Sequence, residues 1–210
     1  MARTRSYAGP RLIRFLAGLT VWIGVIAAFW GVAYAINGAT QAKGRVTVPV
    51  TIGKTSEGEP PEIQLPKAHV PDAVRLSAVD DAVALSAPGS TVAEQLLSRG
   101  DTAVTGLCLG LAAVLLRRLL LSVLEGTPFR GGNPARIAGL AGLLLFAAIV
   151  GEALPDIGAG IVLSRLDLGP MFTAGVSIPM APILVALLLL VLAEAFRRGG
   201  ELADDVAATI

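Results

Sequence analysis

The chain has 210 residues, of which 54% are hydrophobic and only 16% are charged. Because soluble domains carry about 25% charged residues, this composition argues against a soluble globular protein. Seventeen Lys and Arg against sixteen Asp and Glu give a net charge of +1, which offers no bulk attraction for nucleic acid. A single Cys and a single His exclude a disulfide framework and the zinc sites that need several thiolates or imidazoles.

Four apolar segments are candidates for crossing a hydrocarbon core about 30 Å thick, which takes roughly 20 helical residues. They are residues 15–36, 102–124, 137–151 and 178–193. The sequence therefore predicts an all-α membrane protein, a four-transmembrane-helix bundle with a small β-rich extracytoplasmic insert between helices 1 and 2. The predicted segments are a basic N-terminus with helix 1, the insert, helices 2–4 with their cytoplasmic 117–136 connection, and an acidic tail: 1–36, 37–100, 101–200 and 201–210.

The distribution of Lys and Arg around these segments indicates how they are oriented. Ten arginines lie before helix 1, between helices 2 and 3, or after helix 4: Arg3, Arg5, Arg11, Arg14, Arg117, Arg118, Arg130, Arg136, Arg197 and Arg198. With the acidic residues included, that side carries a net charge of +5 and the opposite side −4. Both termini are therefore predicted to be cytoplasmic.

A competing interpretation of the N-terminus is a signal peptide, with Ala33-Tyr34-Ala35 as a small-x-small cleavage site. The uncharged run of 22 residues is longer than the usual signal-peptide core of about 7–15 residues, which favours an uncleaved first helix. A purified protein that begins at Ile36 would contradict the predicted topology.

The insert between helices 1 and 2 has the alternating polar and apolar pattern of half-buried strands. The pattern occurs in four short stretches, the last of them the weakest: 45–52, 62–65, 74–77 and 83–86. Pro49 marks the first strand as an edge strand or a bulge. Thr91 followed by Glu94 fits a capping box, so helix 2 is expected to begin outside the bilayer near Thr91.

The connection between helices 2 and 3 is the most specific local sequence. Gly126 suits a helix C-cap, and Asn133 followed by Pro134 suits a helix start. Phe129 stands at the centre of the loop between these two signals. We interpret this connection as a partner-docking loop, formed by Glu125, Pro128, Phe129, Asn133 and Arg136.

Two motifs give the chain a resemblance to a known family. The first is Arg117-Arg118 followed by Glu125-Gly126-x-Pro128-Phe129, Asn133 and Arg136, and the second is the ending Ala-Glu-Ala-Phe-Arg-Arg-Gly-x-Glu-Leu over residues 193–202. Together they resemble the bacterial four-helix membrane proteins classed as domain of unknown function 2975. The resemblance implies a bacterial inner-membrane protein of regulatory character, often encoded beside a small helix-turn-helix regulator of the Cro type, and it brings no catalytic residues.

Glu194 lies where helix 4 leaves the apolar region. An acidic residue within a membrane-spanning segment is costly and is a functional candidate by default. Arg198 follows four residues later, and Arg117 and Arg118 are expected at a similar depth. The sequence therefore predicts an interhelix ion pair among these residues, either as a fixed lock or as a switch whose pairing changes.

Other polar or small residues have simpler interpretations beside functional ones. Glu152 and Asp156 flank Pro155 and are read as a solvated helix end, with cation binding or proton transfer as the alternative. Gly106 and Gly110 have the small-xxx-small spacing of closely packed helices, which serves packing within the bundle or formation of a homo-oligomer.

The predicted function is non-enzymatic: sensing or regulation through a cytoplasmic partner, such as a helix-turn-helix regulator. The alternative is a small transporter or channel component, against which stands the scarcity of polar residues in the middle of the helices. No cofactor, no metal and no direct nucleic-acid binding are expected, and the lipid bilayer is the first partner. The tail after Gly200 has an amphipathic outline, with Leu202, Val206 and Ile210 four residues apart, and forms a docking helix or frays.

Overall fold

The computed structural model describes residues 9–52, 74–79, 82–127, 129, 132–169, 172–175 and 179–209. The chain divides into two compact units. Unit 1 comprises residues 1–30, 105–148 and 179–210, and unit 2 comprises residues 31–104 and 149–178. The predicted strand at 62–65, together with Pro128, lies outside the described residues.

Helices dominate the described chain, and a small sheet accompanies them. The elements in chain order are α1 (Pro10–Thr40), β1 (Val46–Ile52), β2 (Arg75–Val79), β3 (Ala82–Ala87), α2 (Val92–Ser98), α3 (Gly100–Leu124), α4 (Asn133–Arg165), β4 (Phe172–Thr173) and α5 (Met180–Thr209). Of these, α1, α3, α4 and α5 are long and apolar enough to cross a membrane, with mean hydropathies of 2.1 or 2.2 in their most apolar windows. The predicted fold class is confirmed: four membrane-spanning helices with a β-rich insert after the first.

Helix α4 extends well beyond its predicted end. The apolar segment 137–151 predicts that the helix stops around Glu152 and Pro155, but the helix continues to Arg165 with Pro155 inside it. A proline costs a helix one hydrogen bond and some steric strain, and the last turns offset this cost because Ala159 and Val162 are fully buried. Glu152 therefore lies within α4, not at a helix end.

Unit 2 contains a four-stranded sheet with the strand order β2-β3-β1-β4. β1 pairs antiparallel with β3, with Val48 opposite Leu85, and β3 pairs antiparallel with β2. β4 extends only two residues and pairs with Thr51 and Ile52 of β1. It comes from the connection between α4 and α5, where the sequence has no alternating pattern that predicts a strand.

Pro49 was predicted to mark an edge strand or a bulge, and its position refines that prediction. By strand order β1 is internal, and Pro49 lies opposite Ala84 of β3. On the other side, β4 pairs only with the last two residues of β1. Pro49 thus stands where, among the described residues, β1 has a strand on one side only, which a residue without an N–H tolerates.

The core of unit 2 lies between the sheet and the end of α4. Alternate residues of β1 point inward, and Val46, Val48 and Val50 are at most 2% exposed while Thr47 is exposed. They pack with Leu85 and with residues of the α4 end and the following connection: Ala159, Val162, Leu163, Leu168 and Phe172. The predicted period-two pattern therefore serves to bury one face of the sheet.

The predicted capping box at Thr91 and Glu94 is present, but it begins a separate short helix. The Thr91 side chain accepts from the Glu94 N–H, and the Glu94 carboxylate accepts from the Thr91 N–H. Helix α2 then ends at Ser98, with Arg99 as its C-cap, and α3 begins at Gly100. What the sequence suggested as the start of helix 2 is a distinct helix, α2.

In unit 1, small residues allow α1 and α3 to approach closely. A Cβ atom added at Gly24 of α1 would overlap the Cβ atom of Ala113. A Cβ atom added at Gly110 of α3 would lie 3.0 Å from the Cβ atom of Ala28. Gly110 therefore packs within the unit, and Gly106, one turn earlier, is buried as well.

Candidate functional site

The connection between α3 and α4 begins with a closed helix end in unit 1. Gly126 adopts a positive φ of 72°, a conformation that glycine reaches without steric cost. Its N–H donates to the carbonyl of Val123, and the Thr127 N–H donates to the carbonyl of Ser122. This pair of bonds is a Schellman motif, which satisfies two of the last carbonyl groups of α3.

Asn133 fixes the start of α4 against the end of α3. Its side chain is buried and donates from Nδ2 to Oγ of Ser122 at 2.7 Å. The Asn133 Oδ1 atom accepts from the Arg136 guanidinium at 2.7 Å, and the same guanidinium donates to the carbonyl of Arg118 at 3.4 Å. Two residues of the predicted docking loop, Asn133 and Arg136, therefore hold the connection in place through hydrogen bonds to the end of α3.

Phe129 lies against α5. Its ring centroid is 5.3 Å from that of Phe196, with the two rings tilted by 44°. A Cβ atom added at Gly199 would lie 2.9 Å from the Phe129 ring, and one added at Gly200 would lie 2.9 Å from the Phe129 carbonyl oxygen. The adjacent glycines in α5 therefore make room for the loop. Phe129 nevertheless remains 45% exposed.

A groove of about 520 Å³ opens beside Phe129. Its lining combines apolar surface from the connection and the start of α4 with charged side chains of α5: Phe129, Pro134, Ala135, Arg197, Gly200, Glu201 and Asp204. The volume falls within the range of about 300–1,000 Å³ that is typical of ligand pockets. We name this feature the Phe129 groove.

The predicted ion pair of Glu194 is intrahelical in the structure. Its carboxylate accepts from Arg197 at 2.7 Å and from Arg198 at 2.8 Å. Residues three and four positions apart share one face of a helix, so both guanidinium groups reach the carboxylate without help from another element. Among the described residues, Arg117 and Arg118 join no ion pair and lie exposed on α3, so the structure does not bring them to Glu194.

Arg197 links two acidic residues of α5 and was missed by sequence analysis. It donates to Glu194 and also to Glu201, at 2.5 Å. The signal was present in the sequence, since Glu194, Arg197 and Glu201 are separated by three and four residues. Glu125, by contrast, is exposed at the end of α3 and makes no ion pair with the described residues.

A buried ion pair between Glu94 and Arg165 in unit 2 was not predicted from the sequence either. The Glu94 side chain is only 1% exposed, and its Oε1 atom accepts from Nε of Arg165 at 2.9 Å. Arg165 also donates to the carbonyl of Pro88 at 3.3 Å. The neighbouring Gln95 is buried and donates to the carbonyl of Arg45. These bonds tie α2 to the end of α4 and to the strands.

Comparison of the chain with family models, curated proteins and solved structures found no match.

Proposed function

We propose that this chain is a regulatory protein of the bacterial inner membrane that binds a cytosolic protein at the Phe129 groove. The observation that carries the proposal is the groove itself, with an aromatic residue held against α5 and still 45% exposed. Aromatic side chains are enriched in the centre of protein interfaces, where a polar rim surrounds them. In this proposal the predicted docking loop supplies one wall of the interface, and α5 supplies the other.

The length of α5 supports an interface outside the bilayer. At 1.5 Å per residue, its 30 residues extend about 45 Å, which exceeds a hydrocarbon core of about 30 Å. Charged residues begin only at Glu194, after an uncharged stretch from Met180. The groove-lining part of α5 is therefore the part that projects into water.

The arginines support a cytoplasmic location for the groove. All the described members of the arginine group that was predicted to be cytoplasmic belong to unit 1: Arg11, Arg14, Arg117, Arg118, Arg136, Arg197 and Arg198. Unit 1 also contains the whole Phe129 groove. Because arginine is enriched on the cytoplasmic side of membrane proteins, we assign the groove to the cytosol. The charge distribution in the sequence predicts that the insert after the first helix, which contains β1–β3, is extracytoplasmic. The sheet would then respond to conditions in the cell envelope.

The resemblance to the family classed as domain of unknown function 2975 suggests the first partner to test. A small helix-turn-helix regulator is that candidate, because members of that family are often encoded beside one. Binding to the membrane protein would hold such a regulator away from its operator.

Site-specific photo-crosslinking in whole cells tests the proposal. A photoreactive phenylalanine analogue at position 129 should crosslink to a cytosolic protein, which mass spectrometry then identifies and which is retested in purified form. The same analogue at Trp22, a 69% exposed residue of α1, is the matched control and should crosslink only within the membrane. Identical products from both positions would contradict the proposal and would favour a transporter component without a soluble partner.

A further inference from the structure

The Phe129 groove has an acidic end beside its apolar wall. Among the described residues that line the groove, Arg197 is the only one with a positive side chain, and its guanidinium is already shared between Glu194 and Glu201. Asp204 is exposed and makes no ion pair with any residue in the described part of the chain. The described part of the lining therefore carries two carboxylates and one guanidinium, and the Asp204 carboxylate is available to a ligand.

The apolar wall is formed by Phe129, Pro134 and Ala135. Charged side chains of α5 line the same groove, so that an occupant meets both apolar atoms and carboxylates. A volume of about 520 Å³ is enough for bulky side chains of a partner segment. The site therefore requires two features of its occupant: a bulky apolar side chain and a positive charge beside it.

The surrounding charges distinguish a protein from a lipid surface. Arg117 and Arg118 are exposed on α3 within the same unit and would attract anionic headgroups. The far end of α5, with Glu201, Asp204 and Asp205, would repel those headgroups. An acidic helix end that projects from a basic membrane-proximal surface is suited to a soluble, basic partner.

We infer that the Phe129 groove binds a segment of a soluble protein that carries Lys or Arg next to a bulky apolar residue. The apolar side chain packs against Phe129, and the cation pairs with Asp204 and Glu201. This inference rests on the proposed function, because it specifies the chemistry of the cytosolic partner.

The test uses the full-length protein in nanodiscs of zwitterionic lipid and three fluorescent helical peptides. The first has Leu on one face and Lys on the flanking positions, the second has Glu in place of Lys, and the third has Ser in place of Leu. Fluorescence anisotropy measures their dissociation constants, and empty nanodiscs provide the lipid background. We expect the Leu and Lys peptide to bind most tightly.

Substitutions in the groove distinguish the contribution of its charge to binding from the contribution of its apolar wall. Asp204→Asn should raise the dissociation constant of the Leu and Lys peptide by about two- to fivefold, which corresponds to the energy of an exposed ion pair. Asp204→Lys should weaken it further and improve binding of the Glu peptide. Phe129→Ala should weaken binding of the Lys peptide and of the Glu peptide by the same factor, because both carry Leu. Glu152→Gln removes an exposed carboxylate in unit 2 and should leave all affinities unchanged.

Two results would overturn the inference. One is equal binding of the Lys and Glu peptides, with no response to Asp204→Lys. The other is a crosslink from position 129 to a second copy of the chain, which would make the groove a homo-oligomer interface. If position 129 crosslinks to a cytosolic protein whose affinity is unchanged by substitution of Asp204, the proposed function stands and only the inferred basic character of the partner is wrong.

Discussion

Loss of Arg165 should destabilise unit 2 more than loss of the charge on its partner Glu94. In Arg165→Ala, the Glu94 carboxylate stays buried at 1% side-chain exposure and keeps only its bond from the Thr91 N–H. Leaving one member of a buried ion pair without its partner costs about 3–5 kcal/mol. Because the Thr91 bond remains, we expect about 3 kcal/mol.

The reverse substitution, Glu94→Gln, should cost less. The glutamine carbonyl can still accept from the Thr91 N–H, and Arg165 is 30% exposed and can turn toward water. The loss is then one hydrogen bond between charged groups, which is about 1.5–3 kcal/mol, and we expect the lower end of that range. The larger cost should therefore follow removal of the more exposed partner.

Hydrogen exchange measured by mass spectrometry on the full-length protein reports the local effect in α2 and β1. At about 1.4 kcal/mol per factor of ten, protection of these amides should fall about 100-fold in Arg165→Ala and about 10-fold in Glu94→Gln. Arg45→Ala is the matched control, since it removes an exposed arginine side chain of the same unit but keeps the carbonyl that binds Gln95. Equal effects of Arg165→Ala and Arg45→Ala, or a larger effect of Glu94→Gln, would refute the reasoning.

Two glycine substitutions test the close contacts in unit 1, with the thermal exposure of the chain's one thiol as the readout of unfolding. Gly24→Ala places a methyl group onto Ala113 and should lower stability by about 1–3 kcal/mol, as overpacking does. Gly18→Ala in the same helix meets no atom within 4 Å, so it should be neutral or slightly stabilising, and destabilisation equal to that of Gly24→Ala would contradict the assigned contact. Gly200→Ala places a methyl group 2.9 Å from the Phe129 carbonyl and should speed hydrogen exchange in the 125–129 segment, whereas unchanged exchange would show that the loop does not rest on α5.

Much of the fold follows from local patterns in the sequence. The long apolar runs predict the four spanning helices because burial in hydrocarbon needs length and composition alone. Alternation predicts β1 because Val46, Val48 and Val50 share one buried face. The two-residue strand β4 is too short to show a period, and it exists because the end of β1 offers it a partner.

Other parts of the fold depend on tertiary contacts. Helix α4 continues through Pro155 because its last turns are buried against the sheet, and no local pattern reveals that surface. Thr91 and Glu94 were identified as a capping box, but the burial of Glu94 and its pairing with Arg165 required the placement of α2 beside the end of α4.

The candidate site shows the same division. Phe129 and Asn133 were singled out because turn and cap residues surround them, and both contribute to the structure around the Phe129 groove. The contact of Phe129 with Gly199 and Gly200 could not be predicted, because the sequence does not show which helix packs against the loop. Glu194 pairs with Arg197 and Arg198 on its own helix, and not with the arginines of α3 that were predicted as its partners.

The proposed function depends most directly on which side of the membrane holds the Phe129 groove. Single cysteines at Ala135, which lines the groove, and at Thr47, which is exposed on β1, can be introduced into a Cys108→Ser background. A membrane-impermeant maleimide applied to intact spheroplasts should label the cysteine at position 47 at once, and the cysteine at position 135 only after the membrane is permeabilised. Labelling of position 135 in intact spheroplasts would place the groove outside the cytosol and contradict the proposed function.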